Sequence, residues 1–136
     1  VMNKNAVHGC VDIYYRNNIF KSNSSYAAIA SESSEDTWDS DYNIWNCPNA
    51  VYDNPNTYTL EQAQVLGMEL HSLNADPLLT GFIPQAGSPV IGAGEALDAV
   101  YDDGLDTSTN WGTAIILPTI VTKQQSTIWD CGAYVH

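Results

Sequence analysis

The chain has 136 residues, 16 acids against 4 bases and a formal net charge of −12. That length suits one domain, and a 44% hydrophobic content allows a core to form. The charge leaves no basic patch for a phosphate backbone or an anionic lipid surface, no stretch is long and apolar enough to span a bilayer, and a cation is the favoured small partner.

Taken in order, the chain reads as short strands and turns. Val11, Ile13 and Tyr15 alternate with Asp12 and Tyr14, the pattern of a half-buried strand. Asn17-Asn18 offers a turn, because asparagine tolerates a positive φ. Ile19 and Phe20 begin a second strand, and Ala27 to Ala30 form a third apolar run. Ser31 to Asp41 holds five acids and no base, which predicts an exposed loop. Asn18-Ile19-Phe20 then reappears as Asn43-Ile44-Trp45, 25 residues on, with tyrosines before both copies. That period suits one coil of a solenoid, and it places Asn18 and Asn43 at equivalent turns, where their amides can form a hydrogen-bonded ladder.

Thr59 and Gln62 make a capping-box pair. Leu60, Ala63 and Leu66 follow as one stripe, and Gly67 sits where a helix would end. One short helix of roughly two turns is expected there. Asp76-Pro77-Leu78-Leu79 reads as a turn entering a strand, and Ser88-Pro89-Val90-Ile91 as another. Gly92 to Thr127 reads as loop-rich, with strands only over Ala114–Leu117 and Thr119–Thr122. The three cysteines, Cys10, Cys47 and Cys131, have no CxxC spacing and read as small buried hydrophobes, with their disulfide state left open.

In this order, NNIF (17–20), DYNIW (41–45), TLEQAQVLG (59–67), ADPLL (75–79), QAGSPVIGAG (85–94) and DCGAY (130–134) resemble the C-terminal end of right-handed parallel β-helix proteins, the pectate-lyase-like group. The chain departs from the family's pattern at Gly92, Cys131 and Val135, and its Asp102-Asp103-Gly104-Leu105-Asp106 segment lacks the arginine often found there. The resemblance implies an all-β fold: a right-handed parallel β-helix of about two to three coils, with one short α-helix and a loop-rich C-terminal cap. The expected division is coils over residues 1–58, the helix region over 59–71, and final strands and capping loops over 72–136. So few coils fit the tail of a larger protein, or a small protein that buries its open end against a partner.

The chemistry-bearing residues have weaker patterns. Asp36, Asp39 and Asp41 beside Trp38 could pair carboxylates with a sugar-stacking ring, but turn-capping aspartates explain them more simply, with Asp41 bonding backbone at the coil corner. Asp102, Asp103, Asp106 and Asn110 offer oxygen ligands for Ca²⁺ without EF-hand spacing; solvated loop aspartates are the plainer reading. Arg16 and Lys21 share a coil and are the only pair that could serve a lyase as base and carboxylate neutraliser; surface positions explain them more simply. His8, His71 and His136 have no ligand spacing. Trp38 and Trp111 lie in polar loops and are the carbohydrate-binding candidates, against packing of their loops on the solenoid; Trp45 aligns with Phe20 and belongs in the core.

No catalytic set is complete. The expected function is therefore a non-catalytic C-terminal β-helix module of a secreted or surface protein of bacterial type. It would associate with polysaccharide, or self-assemble through the open N-terminal coil around residues 5–21. The alternative is part of a polysaccharide lyase or glycoside hydrolase whose active groove lies mostly outside this chain. No cofactor is expected beyond Ca²⁺, and neither nucleic acid nor membrane is an expected partner.

Overall fold

A computed structural model describes residues 12–31, 37–113 and 116–136, with the backbone of 2–4. His8, Cys10, Asp36 and Ala114 lie outside the described residues, as does the 5–11 part of the expected self-association coil. The described chain is a parallel β-solenoid. Its strands are β1 (Met2–Lys4), β2 (Ile13–Arg16), β3 (Ile19–Lys21), β4 (Ile29–Ser31), β5 (Trp38–Asp41), β6 (Ile44–Asn46), β7 (Val51–Asp53) and β8 (Asn56–Tyr58). Helix α1 (Leu60–Val65) follows, then β9 (Leu73–Asn74), β10 (Leu79–Thr80), β11 (Ile83–Pro84), a 3-10 turn (Ala99–Tyr101), β12 (Asp103–Asp106), β13 (Thr122–Gln124) and β14 (Tyr134–Val135).

Three parallel ladders run along the stack: β1-β4-β7, β2-β5 and β3-β6-β9. Two coils are complete, β2–β3–β4 and β5–β6–β7. Strand β1 belongs to the level before them and β9 to the level after, so the stack is slightly taller than expected. The sequence repeat is the structural register: Ile19 pairs with Ile44 and Phe20 with Trp45. The corners repeat too, with Asn17 at φ 58° and Tyr42 at φ 56°.

The β3-β6 sheet is covered on both faces, which is why adjacent residues are buried. Inward, Phe20 stacks on the fully buried Trp45, centroids 4.3 Å apart at 18°. They join Tyr15, Ile29, Ala50 and Val51 in the inner core, to which α1 adds Leu60 and Ala63. Outward, Ile44 packs with Val90 and Cys131 of the C-terminal section, with Ile19 alongside.

Helix α1 has its capping box: the Gln62 amide donates to Thr59 Oγ1 and the Thr59 amide to Gln62 Oε1. It ends at Val65, so Leu66 is its C-cap and stays exposed instead of completing the buried stripe. Four further expectations are corrected, the first being that the two ends of the expected 31–41 loop are strand residues, buried Ser31 in β4 and Trp38–Asp41 as β5. Ser88–Ile91 is a chain of turns that buries Val90 without a ladder, fixed by Ser88 Oγ donating to the Pro77 carbonyl. The supposed loop at 103–106 is strand β12, antiparallel to β13 and parallel to β14. Of Thr119–Thr122 only Thr122 enters a strand, and Thr119 forms an isolated bridge to Asn110.

Candidate functional site

The C-terminal section is fastened to the coils at the first corner. Asn17, held at positive φ, uses both ends of its amide: Nδ2 donates to the Glu95 carbonyl at 2.9 Å and Oδ1 accepts from the Glu95 amide at 2.8 Å. The Gly132 amide donates to the Asn17 carbonyl at 2.6 Å. A Cβ at Gly132 would stand 2.8 Å from Ile19 Cδ1, and its φ of 89° already disfavours any side chain. Glycine in DCGAY therefore permits this close docking. Cys131 beside it donates its thiol to the Tyr42 carbonyl. Burial, reinforced by the Asp130 charge, pushes that thiol up to about 12. Both described cysteines, Cys47 and Cys131, are free thiols.

Between the coil corner and this docked section lies an open cleft of about 910 Å³. Its coil wall carries Arg16 and Lys21, and its far wall Tyr101 and Trp111. Buried Trp129 and Tyr134 contribute to the lining, and Phe82 stands at 80% exposure. Trp111 is 58% exposed and Tyr101 66%, so both rings remain available to a ligand. Trp111 Nε1 donates to Tyr134 Oη at 2.7 Å, which fixes one edge of the ring.

Arg16 is held by two carboxylates, its Nε donating to Glu95 Oε2 at 2.8 Å and its Nη2 donating to Asp39. Burial works against the charge, but the bonds and attraction of Asp39 and Glu95 outweigh it and raise the pKa. A guanidinium held this firmly is not a proton acceptor. Lys21 donates to Asp76.

The other expected residues fall elsewhere. Trp38 is half-buried and packs against the inner core, away from the cleft. Asn18 and Asn43 do form the ladder: Asn43 Oδ1 accepts from the Asn18 amide at 2.8 Å and from Asn18 Nδ2 at 3.1 Å. Asp39 and Asp41 share the outer face of β5 but take different partners, Asp39 pairing with Arg16. Asp41 accepts from the Tyr42 and His71 amides and from His71 Nδ1 at 2.7 Å. Burial acts to raise its pKa, but these bonds from His71 and Tyr42 prevail and hold the carboxyl below its usual range. The His71 ring stacks on Tyr42. His136 Nε2 donates to the Pro84 carbonyl.

Asp102, Asp103, Asp106 and Asn110 do not form a ligand cluster. Asp106 accepts from the Ser108 amide and Asn110 from the Gly112 amide, each closing its own turn. Among the described residues, no three His, Cys, Asp or Glu side chains stand together as a metal site. Nor is any helix there long and apolar enough to cross a membrane.

Sequence reasoning missed Tyr101, Phe82 and Glu69. The first two sit in irregular segments without a period. Glu69 is buried to 1% exposure at φ 53°. Its Oε2 accepts from Asn43 Nδ2, Trp45 Nε1 and Ser72 Oγ. It ties the asparagine ladder to the core and reads in sequence only as one more acid after a helix.

No family model, curated protein or solved structure matches this chain.

Proposed function

We propose that the chain is a non-catalytic, glycan-binding module on the coils of a pectate-lyase-like protein in a secreted or surface setting. One observation carries the reading: a single open cleft presents exposed Trp111 and Tyr101 beside the polar groups of the coil wall. Aromatic faces stack on the C–H faces of pyranose rings, and nearby polar groups meet the hydroxyls. The cleft favours binding over turnover, since Arg16 stays charged between its two carboxylates and offers no base to a lyase. Calcium has weak support, because the aspartates at 102, 103 and 106 do not converge.

Affinity electrophoresis through gels containing soluble polysaccharides tests the reading. The protein should be retarded by at least one glycan, and Tyr101→Ala should migrate faster than wild type in that gel. Equal migration of the two proteins in every gel would refute it.

A second reading, self-assembly, draws on β1, which stands at the edge of its sheet among the described residues. A second copy could extend that ladder. It predicts a concentration-dependent rise in mass by light scattering; a constant monomer mass would remove it.

A further inference from the structure

The charges around the cleft narrow the class of glycan. Two cationic side chains line it, Arg16 and Lys21, and both are already paired: Arg16 with Asp39 and Glu95, Lys21 with Asp76. Two carboxylates, Asp103 and Asp130, also line it. Asp130 accepts from the Gly92 and His136 amides, while Asp103 is exposed toward solvent. Two cations thus face five carboxylates, in a chain of net charge −12.

A uronate or sulfate entering a protein groove needs a cation whose charge is not already balanced, because its desolvation must be offset by net attraction as well as by charge-assisted bonds. Here Glu95 and Asp39 already balance the charge of Arg16, and Asp76 that of Lys21, so an incoming carboxylate enters surroundings of net negative charge. It would also share the cleft with the Asp103 carboxylate, and like charges closer than a Debye length, about 8 Å at physiological salt, repel with only partial screening. A neutral pyranose meets none of these costs. It needs a flat aromatic face and partners for its hydroxyls, which Tyr101, Trp111 and the polar walls supply.

We infer that the cleft selects neutral, hydroxyl-rich polysaccharides and rejects polymers bearing carboxylates or sulfates. This rests on the glycan-binding reading above. It separates the chain's specificity from the uronate polymers that its family resemblance would suggest.

The experiment is binding calorimetry of the whole chain at low and at physiological salt. The probes are hexasaccharides of β-1,4-glucan, β-1,4-mannan and β-1,4-xylan, and a hexamer of galacturonate. Binding of at least one neutral hexamer with no galacturonate heat at either salt is the expected result. Galacturonate binding as tight as neutral binding would overturn the charge selection and leave the glycan reading standing. No binding of any probe would overturn both. The double variant Glu95→Gln, Asp103→Lys removes one carboxylate partner of Arg16 and replaces a second acid with a cation. It should gain salt-sensitive galacturonate binding; no gain would show that these charges do not set the selection.

Discussion

The coil stack and the C-terminal section are built on opposite terms. In the stack, inward-facing side chains are buried by counterparts one coil away, and Trp45 and Val51 are fully enclosed. In the C-terminal section a few anchors, Val90, Cys131, Tyr134 and Val135, carry the burial while Val100, Ile116, Leu117 and Ile128 remain exposed. The stack gains stability from repetition. The C-terminal section gains its position from a few specific bonds around Asn17 and Gly132, and that leaves room for a cleft with exposed rings. Stability lies in the periodic part and ligand access in the aperiodic part.

Substitutions at four positions would sharpen or break this contrast. The largest effect belongs to Trp45→Ala, which empties the space under Phe20 and removes a donor to the buried Glu69 carboxylate; it should cost about 3–5 kcal/mol in urea unfolding. A loss of under about 1 kcal/mol would mean that the stacked core is not what holds the coils. Glu69→Ala removes the acceptor shared by Asn43, Trp45 and Ser72, and a cost of about 1–3 kcal/mol is expected. Glu69→Gln keeps an acceptor there and should cost less; the reverse order would contradict the shared-acceptor role. Tyr101→Ala should lower affinity for a bound glycan about tenfold, roughly 1.4 kcal/mol, with no change in melting temperature. A fall in melting temperature without a change in affinity would assign Tyr101 to packing instead. The smallest effect is expected at Val100→Ala, where truncation of an exposed side chain should stay within about 0.5 kcal/mol of wild type.

Acid tests a contact within the coil stack, between the β5 corner and the segment that follows α1. Asp41 has its folded-state pKa lowered by its bonds from His71 and Tyr42, so the unfolded chain binds the proton more readily. Its contribution is therefore present above the ordinary carboxylate range and is lost as pH falls through and below it. Asp41→Asn should flatten the acid limb of a stability-against-pH curve. An unchanged limb would show that the Asp41–His71 contact contributes nothing in solution.

The sequence made the stack legible because burial there is periodic. The 25-residue spacing of Asn-Ile-aromatic is the ladder register, and Asn18 over Asn43 follows from it. The capping box of Thr59 and Gln62 was equally visible, since a cap is local chemistry. What failed was aperiodic or long-range. Strand β12 hides in Asp103–Asp106, whose composition favours a loop, because its partners β13 and β14 are distant in sequence. Trp111 and Trp38 looked alike as aromatics in polar loops. The register places Trp38 beside Ile13 against the core, while Trp111 reaches the cleft. Nothing in sequence spacing places Tyr101 and Trp111 on the same cleft as Arg16.

The four tryptophans make the central claim directly measurable, because each indole N–H gives its own signal in a ¹H–¹⁵N spectrum. Trp111 lines the cleft, whereas Trp38 and Trp45 belong to the coil core. On titration with a neutral hexasaccharide that the protein binds, the Trp111 signal should move while those of Trp38 and Trp45 stay in place. Movement of Trp38 with Trp111 unperturbed would put the glycan on the coil face and contradict the account.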